Sequence, residues 1–238
     1  PGSAPGRPSP GRASPAGAAS ARAGPAPGWS CKLVVVAPHA TRSRISNAAA
    51  AAPPGPVSAE RVRQQRQTRF SPIRSLDPAT LVTVLEAAEA GDIRRAALLW
   101  DAIERRDDVC RIAASKRKAA VARRPFEVLT TETSREARRQ KAALEFFYNH
   151  VAARHAVERR RVGGFSTLVR QAADAIGKGA SLHHLRWILS PEGVTAECEF
   201  VPLWFFESKT GDYRFLESDY ATDGRPLEDG EWFVVSTD

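Results

Sequence analysis

The hydrophobic pattern of the chain changes its period once, close to Ser181, and this change limits the folds that are available. Between Asp77 and Ile176, apolar residues recur every three or four positions, as they do along one face of an α-helix. From Ser181 onward they alternate and include many aromatics, as on strands that pack on one side. The sequence therefore predicts an α+β fold, with N-terminal helices followed by a mainly antiparallel, aromatic-rich sheet.

Capping residues mark most of the predicted helices. Asp77 and Pro78 suit the N-cap and the first position of the first helix, and Gly91 ends it. Asp92 is expected to cap the second helix, and Ser134 the fourth. The other predictions for this half are helices at 107–121, 134–155 and 165–176 and a strand at 126–129.

Five strands are predicted in the second half, separated by turns rich in glycine and proline. Gly177 and Gly179, after the last helix, resemble a phosphate-binding loop only loosely, because the spacing of a Gly-x-x-x-x-Gly-Lys-Ser/Thr motif is missing. A left-handed helix C-cap explains these glycines better. The predicted strands are 182–189, 195–202, 204–207, 213–216 and 232–236.

The composition divides the 238 residues into two parts. Of residues 1–30, 26 are Ala, Pro, Gly or Ser, which cannot bury enough apolar surface to offset the entropy of ordering. We therefore predict a disordered leader at 1–69, rich in Ala, Pro, Gly and Arg, and a folded domain at 70–238. Because the chain begins with proline and contains no methionine, we expect it to be a fragment of a longer product.

Charge is distributed unevenly along the chain. Residues 1–70 carry 10 basic residues and 1 acidic residue, a net charge of +9, and residues 71–170 carry 20 and 13, a net charge of +7. Residues 171–238 carry 5 and 13, a net charge of −8. Such an asymmetry can orient a subunit in an assembly or against DNA. Solvated faces of separate elements are the simpler alternative.

The densest basic cluster of the domain comprises Arg111, Lys116, Arg117 and Lys118, in the helix predicted at 107–121. One interpretation is phosphate contact, which would give salt-sensitive binding of nucleic acid without sequence preference. The other is a solvated helix face that pairs with the acidic half of the same or a neighbouring subunit.

Four aromatic residues of the sheet, Trp187, Trp204, Phe205 and Trp232, are large enough to dominate a packed surface. They could stack on the bases of single-stranded nucleic acid. At alternating positions of a sheet, however, they are expected to belong to the core or to a subunit interface.

The sequence contains no convincing catalytic, cofactor-binding or metal-binding motif. His183 and His184 are neighbours on a predicted strand and point to opposite faces, so they cannot hold one metal ion together. A hydrolase would need His184 to converge with Glu197 or Glu199 in one pocket. The three cysteines are widely spaced, so neither a disulfide framework nor a zinc site is expected. We therefore expect no enzyme and no cofactor.

The order of these segments resembles the portal proteins of Mu-like tailed phages and prophages. The most specific segment is Asp174-Ala175-Ile176-Gly177-Lys178-Gly179 and the strand that follows it, to Trp187. The resemblance covers roughly residues 70–238 and corresponds to the N-terminal, wing-type part of a portal subunit, before the stem and clip. The other similar segments are 76–92, 100–107, 116–129, 200–206, 214–216 and 224–232.

The resemblance implies a virion structural protein. Such proteins form a homo-oligomeric ring, typically of twelve subunits, at one vertex of the capsid, where DNA is packaged and later ejected. The implied partners are the terminase, the scaffold or coat protein, the head-completion proteins and double-stranded DNA bound without sequence preference. The implied location is the capsid vertex, with assembly in the bacterial cytoplasm. The alternative function is a nucleic-acid-binding module that uses the basic helix around Lys116, Arg117 and Lys118.

Overall fold

The computed structural model describes residues 55–67 and 76–237, together with Gly2 and a two-residue strand. The disorder predicted for residues 1–69 falls mostly outside the described residues. The helices are α1 (Ala59–Gln67), α2 (Pro78–Glu89), α3 (Arg94–Arg106), α4 (Asp108–Ala122), α5 (Arg135–His150), α6 (Phe165–Ala172) and α7 (Ala175–Lys178). The strands are β1 (Leu33–Val34), β2 (Ala152–His155), β3 (Ala180–Ser190), β4 (Gly193–Val201), β5 (Phe206–Glu207), β6 (Arg214–Phe215), β7 (Arg225–Pro226) and β8 (Trp232–Ser236).

The strands form two sheets. The larger has the order β1-β8-β3-β4-β2, in which all neighbours are antiparallel except β4 and β2. Its centre is the β3–β4 hairpin, paired from Leu182↔Val201 to Ser190↔Gly193. The smaller sheet, β5-β6-β7, is antiparallel. The prediction of an α+β fold with a mainly antiparallel sheet is confirmed.

The larger sheet carries an apolar cluster on each face, because residues of one strand point alternately to the two sides. On one face, Ala153, Ala196 and Cys198 pack with residues of α5 and α6. On the other, Leu182 and Val201 pack with α1, α3, the smaller sheet and a 3₁₀ helix, Leu203–Phe205. The apolar residues on both faces of the central strands are therefore covered by other elements.

Four of the predictions for helix ends are confirmed. The Asp77 carboxylate accepts a hydrogen bond from the Thr80 amide at 2.6 Å, and the Ser134 hydroxyl accepts one from Ala137 at 3.1 Å. Gly91 has φ 92° and ends the α2–α3 turn. A side chain at Gly91 would also collide with the backbone of Lys209, so the glycine permits this turn to approach the smaller sheet. Gly179, with φ 82°, is the predicted left-handed C-cap.

Several local predictions were wrong. Asp92 does not cap α3, whose N-cap is Ile93 without a side-chain hydrogen bond. Residues 126–129 form no strand, because Phe126 packs its ring against Tyr148 and Phe165 instead of pairing with a neighbour. Residues 152–155 are strand β2 and not the end of a helix, since they pair with β4 over a distance of about 45 positions in the chain.

Part of the domain core lies N-terminal to residue 70. Val57, just before α1, and Val62, within α1, belong to the cluster with Phe205 and Phe206. The division of the chain at residue 70 stays a prediction, but packed structure begins before it. Within the described residues, no helix combines the length and the apolar character that crossing a bilayer requires.

A buried arginine holds α1 in place. Arg61 donates to Asp219 Oδ1 at 3.1 Å and to the Leu216 carbonyl at 2.5 Å. Its guanidinium lies 4.6 Å from the centre of the Phe205 ring. The guanidinium of Arg94, from α3, also lies 3.4 Å from Asp219 Oδ1. One carboxylate therefore connects α1 and α3 to the loop after β6.

Replacement of Arg61 by Ala should lower the free energy of unfolding by about 3 kcal/mol, because it removes one partner of a buried ion pair and leaves Asp219 undercompensated. Urea denaturation followed by circular dichroism measures this change. Arg63→Ala is the matched control, since Arg63 lies on the same helix with an exposed ion pair to Glu60 and should change stability by less than about 0.5 kcal/mol. Equal effects of the two substitutions would contradict a stabilising role for the buried Arg61–Asp219 ion pair.

Candidate functional site

A cleft of about 1370 Å³ is lined mainly by residues of α1, α3, α4, α6 and the segment after β2. Its lining includes five arginines, contributed by α3, α4, α6 and the segment after β2, and an apolar part formed by residues such as Leu98, Phe200 and Trp204. The five arginines are Arg94, Arg105, Arg111, Arg161 and Arg170. The cleft is larger than a typical site for a small molecule.

Two lysines and three carboxylates form a network in this cleft. Lys118 of α4 lies 2.5 Å from Glu104 Oε1 and 2.5 Å from Asp174 Oδ1. Lys178 of α7 contacts Asp101 and lies 2.8 Å from Asp174 Oδ2. These ion pairs connect α3, α4 and α7 at the point where β3 begins.

The network has one more carboxylate than it has lysines, and the pKa values of its members are shifted in different directions. Burial is the largest influence on the pKa of Asp101 and raises it, in spite of the attraction of Lys178. Burial also acts to raise the pKa of Asp174, but Lys178 and Lys118 together outweigh it, and the pKa is lowered. For Lys178, burial lowers the pKa, but Asp174 and Asp101 reverse this, and the pKa lies above its usual value.

The predicted phosphate-contacting cluster is divided between two surfaces. Lys118 faces the cleft, with 15 % of its side chain exposed, and is neutralised by Glu104 and Asp174, so it does not fit a phosphate contact. Arg111 also lines the cleft and pairs with Asp108 at 2.5 Å. Lys116 and Arg117 lie on the exposed side of α4. The phosphate-contact hypothesis therefore rests on Arg111, Lys116 and Arg117.

Three of the four aromatic residues that were predicted for the core or an interface lie in the core of the chain. Phe205 is fully buried, and Trp204 and Trp232 are 8 % and 6 % exposed. They pack in the cluster formed with the smaller sheet, which corresponds to the core alternative of that prediction. Trp187 is different, because half of it is exposed while its Nε1 donates to the Gly230 carbonyl at 2.7 Å. A subunit interface stays a prediction for Trp187.

The two adjacent histidines have separate environments. His183 is fully buried between the rings of Phe200 and Phe233, and neither of its ring nitrogens has a hydrogen-bond partner among the residues that the structure describes. Burial lowers the pKa of His183 to about 3. His184, on the opposite face of β3, packs against Trp232. These contacts favour packing roles for both side chains.

The acidic residues that a hydrolase would have needed are held in a ladder of charges on β4. Glu197 lies 2.6 Å from Arg154 and also contacts Arg186. Glu199 is opposite His184 in the β3–β4 register, and burial raises the pKa of Glu199. Among the described residues, no group of three or more His, Cys, Asp or Glu side chains is arranged to hold a metal ion. Glu197 therefore serves as the ion-pair partner of Arg154 and Arg186.

A basic surface on α5 was not identified from the sequence. Arg135, Arg138 and Arg139 are exposed and follow the Ser134 cap at the spacing that places them on one helix face. Many other arginines and lysines of the described structure pair with carboxylates. These three arginines have no ion-pair partner among the described residues. Their i, i+3, i+4 spacing was visible in the sequence, whereas their isolation from acidic groups was not.

The described domain is thus an α+β module in which ion pairs join helices to a sheet and charged surfaces remain uncovered. The family model described as the portal protein of Mu bacteriophage matches residues 97–238. Because this match covers more than half of the chain, the chain belongs to the Mu phage portal family, which is a family of structural proteins. A search of curated proteins finds no significant match.

Replacement of Lys118 by Met should lower the free energy of unfolding by about 2 kcal/mol, since Glu104 and Asp174 lose a cation in a partly buried site. Lys116→Met is the matched control on the exposed side of α4 and should have an effect below about 0.5 kcal/mol. Urea titration of both variants measures the difference. If Lys118 is instead a ligand-binding residue, its replacement will leave stability unchanged.

The buried histidine predicts a specific loss of stability in acid. The folded-state pKa of His183, about 3, lies below the unfolded value, so the unfolded chain binds more protons and stability present above about pH 6.5 is lost as the pH falls toward 3. Between pH 7 and pH 5, His183 should account for a loss of about 2 kcal/mol. The His183→Leu variant should lose that much less over the same interval in urea titrations.

His150→Leu serves as the control for this pH dependence, because His150 is exposed at the end of α5. The readout is the change of unfolding free energy with pH, which is independent of any constant effect of the new side chain on packing. An unaltered pH dependence in His183→Leu would show that His183 is accessible to protons in the folded state.

Proposed function

We propose that this chain acts as a subunit of a portal ring at one vertex of a phage head, through which double-stranded DNA is packaged and ejected. The observation that carries the proposal is the family match over residues 97–238, which includes most of α3 and all strands from β2 to β8. Twelve copies per ring, as the resemblance implies, belong to the same proposal. The proposed location is the capsid vertex, after assembly in the host cytoplasm.

The partners of this subunit follow from its place in the head. We infer contacts with further copies of the chain, with the terminase, with scaffold or coat protein and with head-completion proteins. The contact with DNA would be loose and electrostatic, because the duplex has to move through the ring.

The alternative proposal, a nucleic-acid-binding module, receives less support from the described contacts. Lys118 is neutralised within the cleft, and Arg111 has an acidic neighbour. Lys116 and Arg117 remain as exposed basic residues of α4. Two to three cations on one helix would supply only a small salt-dependent affinity.

The portal proposal predicts that the purified chain forms closed rings with a single copy number. Native mass spectrometry and negative-stain electron microscopy measure this over a range of concentrations. Trp187→Ala should reduce the association constant at least tenfold, because its half-exposed indole is available to a neighbouring subunit. The monomer fold of this variant, followed by circular dichroism, should be retained.

Trp204→Ala is the contrasting variant, since Trp204 belongs to the buried core and its loss should lower the free energy of unfolding by about 3 kcal/mol or more. A wild-type chain that remains monomeric at all concentrations would contradict ring formation. If that monomer binds DNA tightly and the affinity falls when Lys116 and Arg117 are neutralised, the alternative proposal becomes the better account.

A further inference from the structure

The N-terminal part of α5 extends past its contact with the sheet. Phe146 lies against Gly193, the first residue of β4, and Phe147 lies near Trp187. Residues 135–144 precede these contacts and amount to about 15 Å of helix. Eight of these ten residues are exposed, and the other two, Ala137 and Lys141, are half-buried. We call residues 135–144 the α5 arm.

The α5 arm is a preformed helix with one basic face. Ser134 and the acidic Glu136 in the first turn satisfy and neutralise its N-terminus. Arg135, Arg138 and Arg139 lie together on one side of the helix, and none of them has an ion-pair partner within residues 55–67 and 76–237. A mostly exposed helix whose three arginines are unpaired is suited to contact another surface.

An acidic surface lies beside Trp187 on the same domain. The Trp187 indole donates to the Gly230 carbonyl at 2.7 Å, which fixes the loop after β7 next to it. Glu228 and Asp229 in this loop are exposed, and of the two only Glu228 has an ion-pair partner in the described structure, Arg225 at 3.1 Å. We call Trp187, Glu228 and Asp229 the acceptor surface. It offers carboxylates and an aromatic face, the two kinds of group that bind arginine best.

We propose that the α5 arm of one subunit docks on the acceptor surface of the next copy of the chain. This inference rests on the proposed ring and names its contact. Within the described residues, none of the three arginines pairs with Glu228 or Asp229 of its own chain, and Arg135 precedes Phe147, which lies near Trp187, by about 18 Å along the helix. The two surfaces differ, so the contact is head-to-tail, the kind that closes into rings.

A second copy fits the charges better than nucleic acid does. Residues 171–238 carry a net charge of −8, and the exposed carboxylates of the acceptor surface, Glu228 and Asp229, would repel a duplex. On a neighbouring copy the same carboxylates complement the three arginines. The chain therefore supplies both partners of the contact, three arginines on the arm and two carboxylates on the acceptor surface.

Charge reversal tests the pairing directly. The arm variant is Arg135→Glu with Arg138→Glu and Arg139→Glu, and the acceptor variant is Glu228→Arg with Asp229→Arg. Each variant alone should lower the association constant of the full 238-residue chain at least a hundredfold in sedimentation velocity experiments. A mixture of the two variants should restore assembly, because each reversed surface meets its complement, and so should a chain that carries both sets.

The matched control reverses three exposed charges elsewhere, with Lys116→Glu, Arg117→Glu and Arg123→Glu, and should assemble like the wild type. Unchanged circular dichroism and urea midpoints show that the variants are folded. An arm variant that assembles like the wild type overturns the docking proposal but leaves the ring proposal standing. If that variant assembles normally yet loses affinity for a DNA duplex, the arm is a nucleic-acid contact. A wild-type chain that never assembles contradicts both proposals, and failure of the mixture to assemble overturns the pairing.

Discussion

The pairing of β3 with β4 is the constraint on which the rest of the domain depends. Its register runs without interruption from Leu182↔Val201 to Ser190↔Gly193, so it determines which residues share each face. Both faces carry apolar clusters, and each needs its own cover. α5 and α6 cover one face, while α1, α3 and the smaller sheet cover the other. A shift of one residue in this register would exchange the two sets and leave both covers without partners.

The base of β3 is also where charge is concentrated inside the domain. Lys118 and Lys178 join the helices to the start of the strand through three carboxylates, of which Asp174 is shared by both lysines. Partly buried charges are retained at such a point only when they are paired, because an isolated charge there would cost several kcal/mol. The network neutralises Lys118, which in the sequence resembles part of a nucleic-acid-binding helix. Local basic composition is therefore a weak guide to function when a neighbouring element supplies the carboxylates.

The fold class, three caps and most strand positions could be predicted because they depend on local chemistry. Asp77, Ser134 and Gly179 act within a few residues of themselves, and alternation along β3 is a property of the strand alone. Parallel strand β2 could not be predicted, since its alanines suit a helix equally well and only the distant β4 selects the strand. Pairing of the Lys118 helix with the acidic half of the chain was one of two interpretations of the sequence, but its partner could not be identified, because Asp174 lies 56 positions away. Trp204 and Trp187 look alike in the sequence, yet only packing distinguishes a core residue from a surface one.

The uneven distribution of charge has a physical consequence for a member of the portal family. Within the domain, many ion pairs are local or join adjacent elements. They do not include the three exposed arginines of the α5 arm or Asp229 in the loop after β7, so these charges are uncompensated at the surface of the described structure. In a monomer these surfaces gain little from each other, because solvent and salt screen charges separated by more than about 10 Å. In the proposed head-to-tail ring each subunit would present one of these surfaces to the next, and the separation would fall to contact distance at every interface. The charges that are unsatisfied in one copy would then be satisfied by repetition, and closure of the ring would leave no free arm or acceptor surface at the end of the assembly.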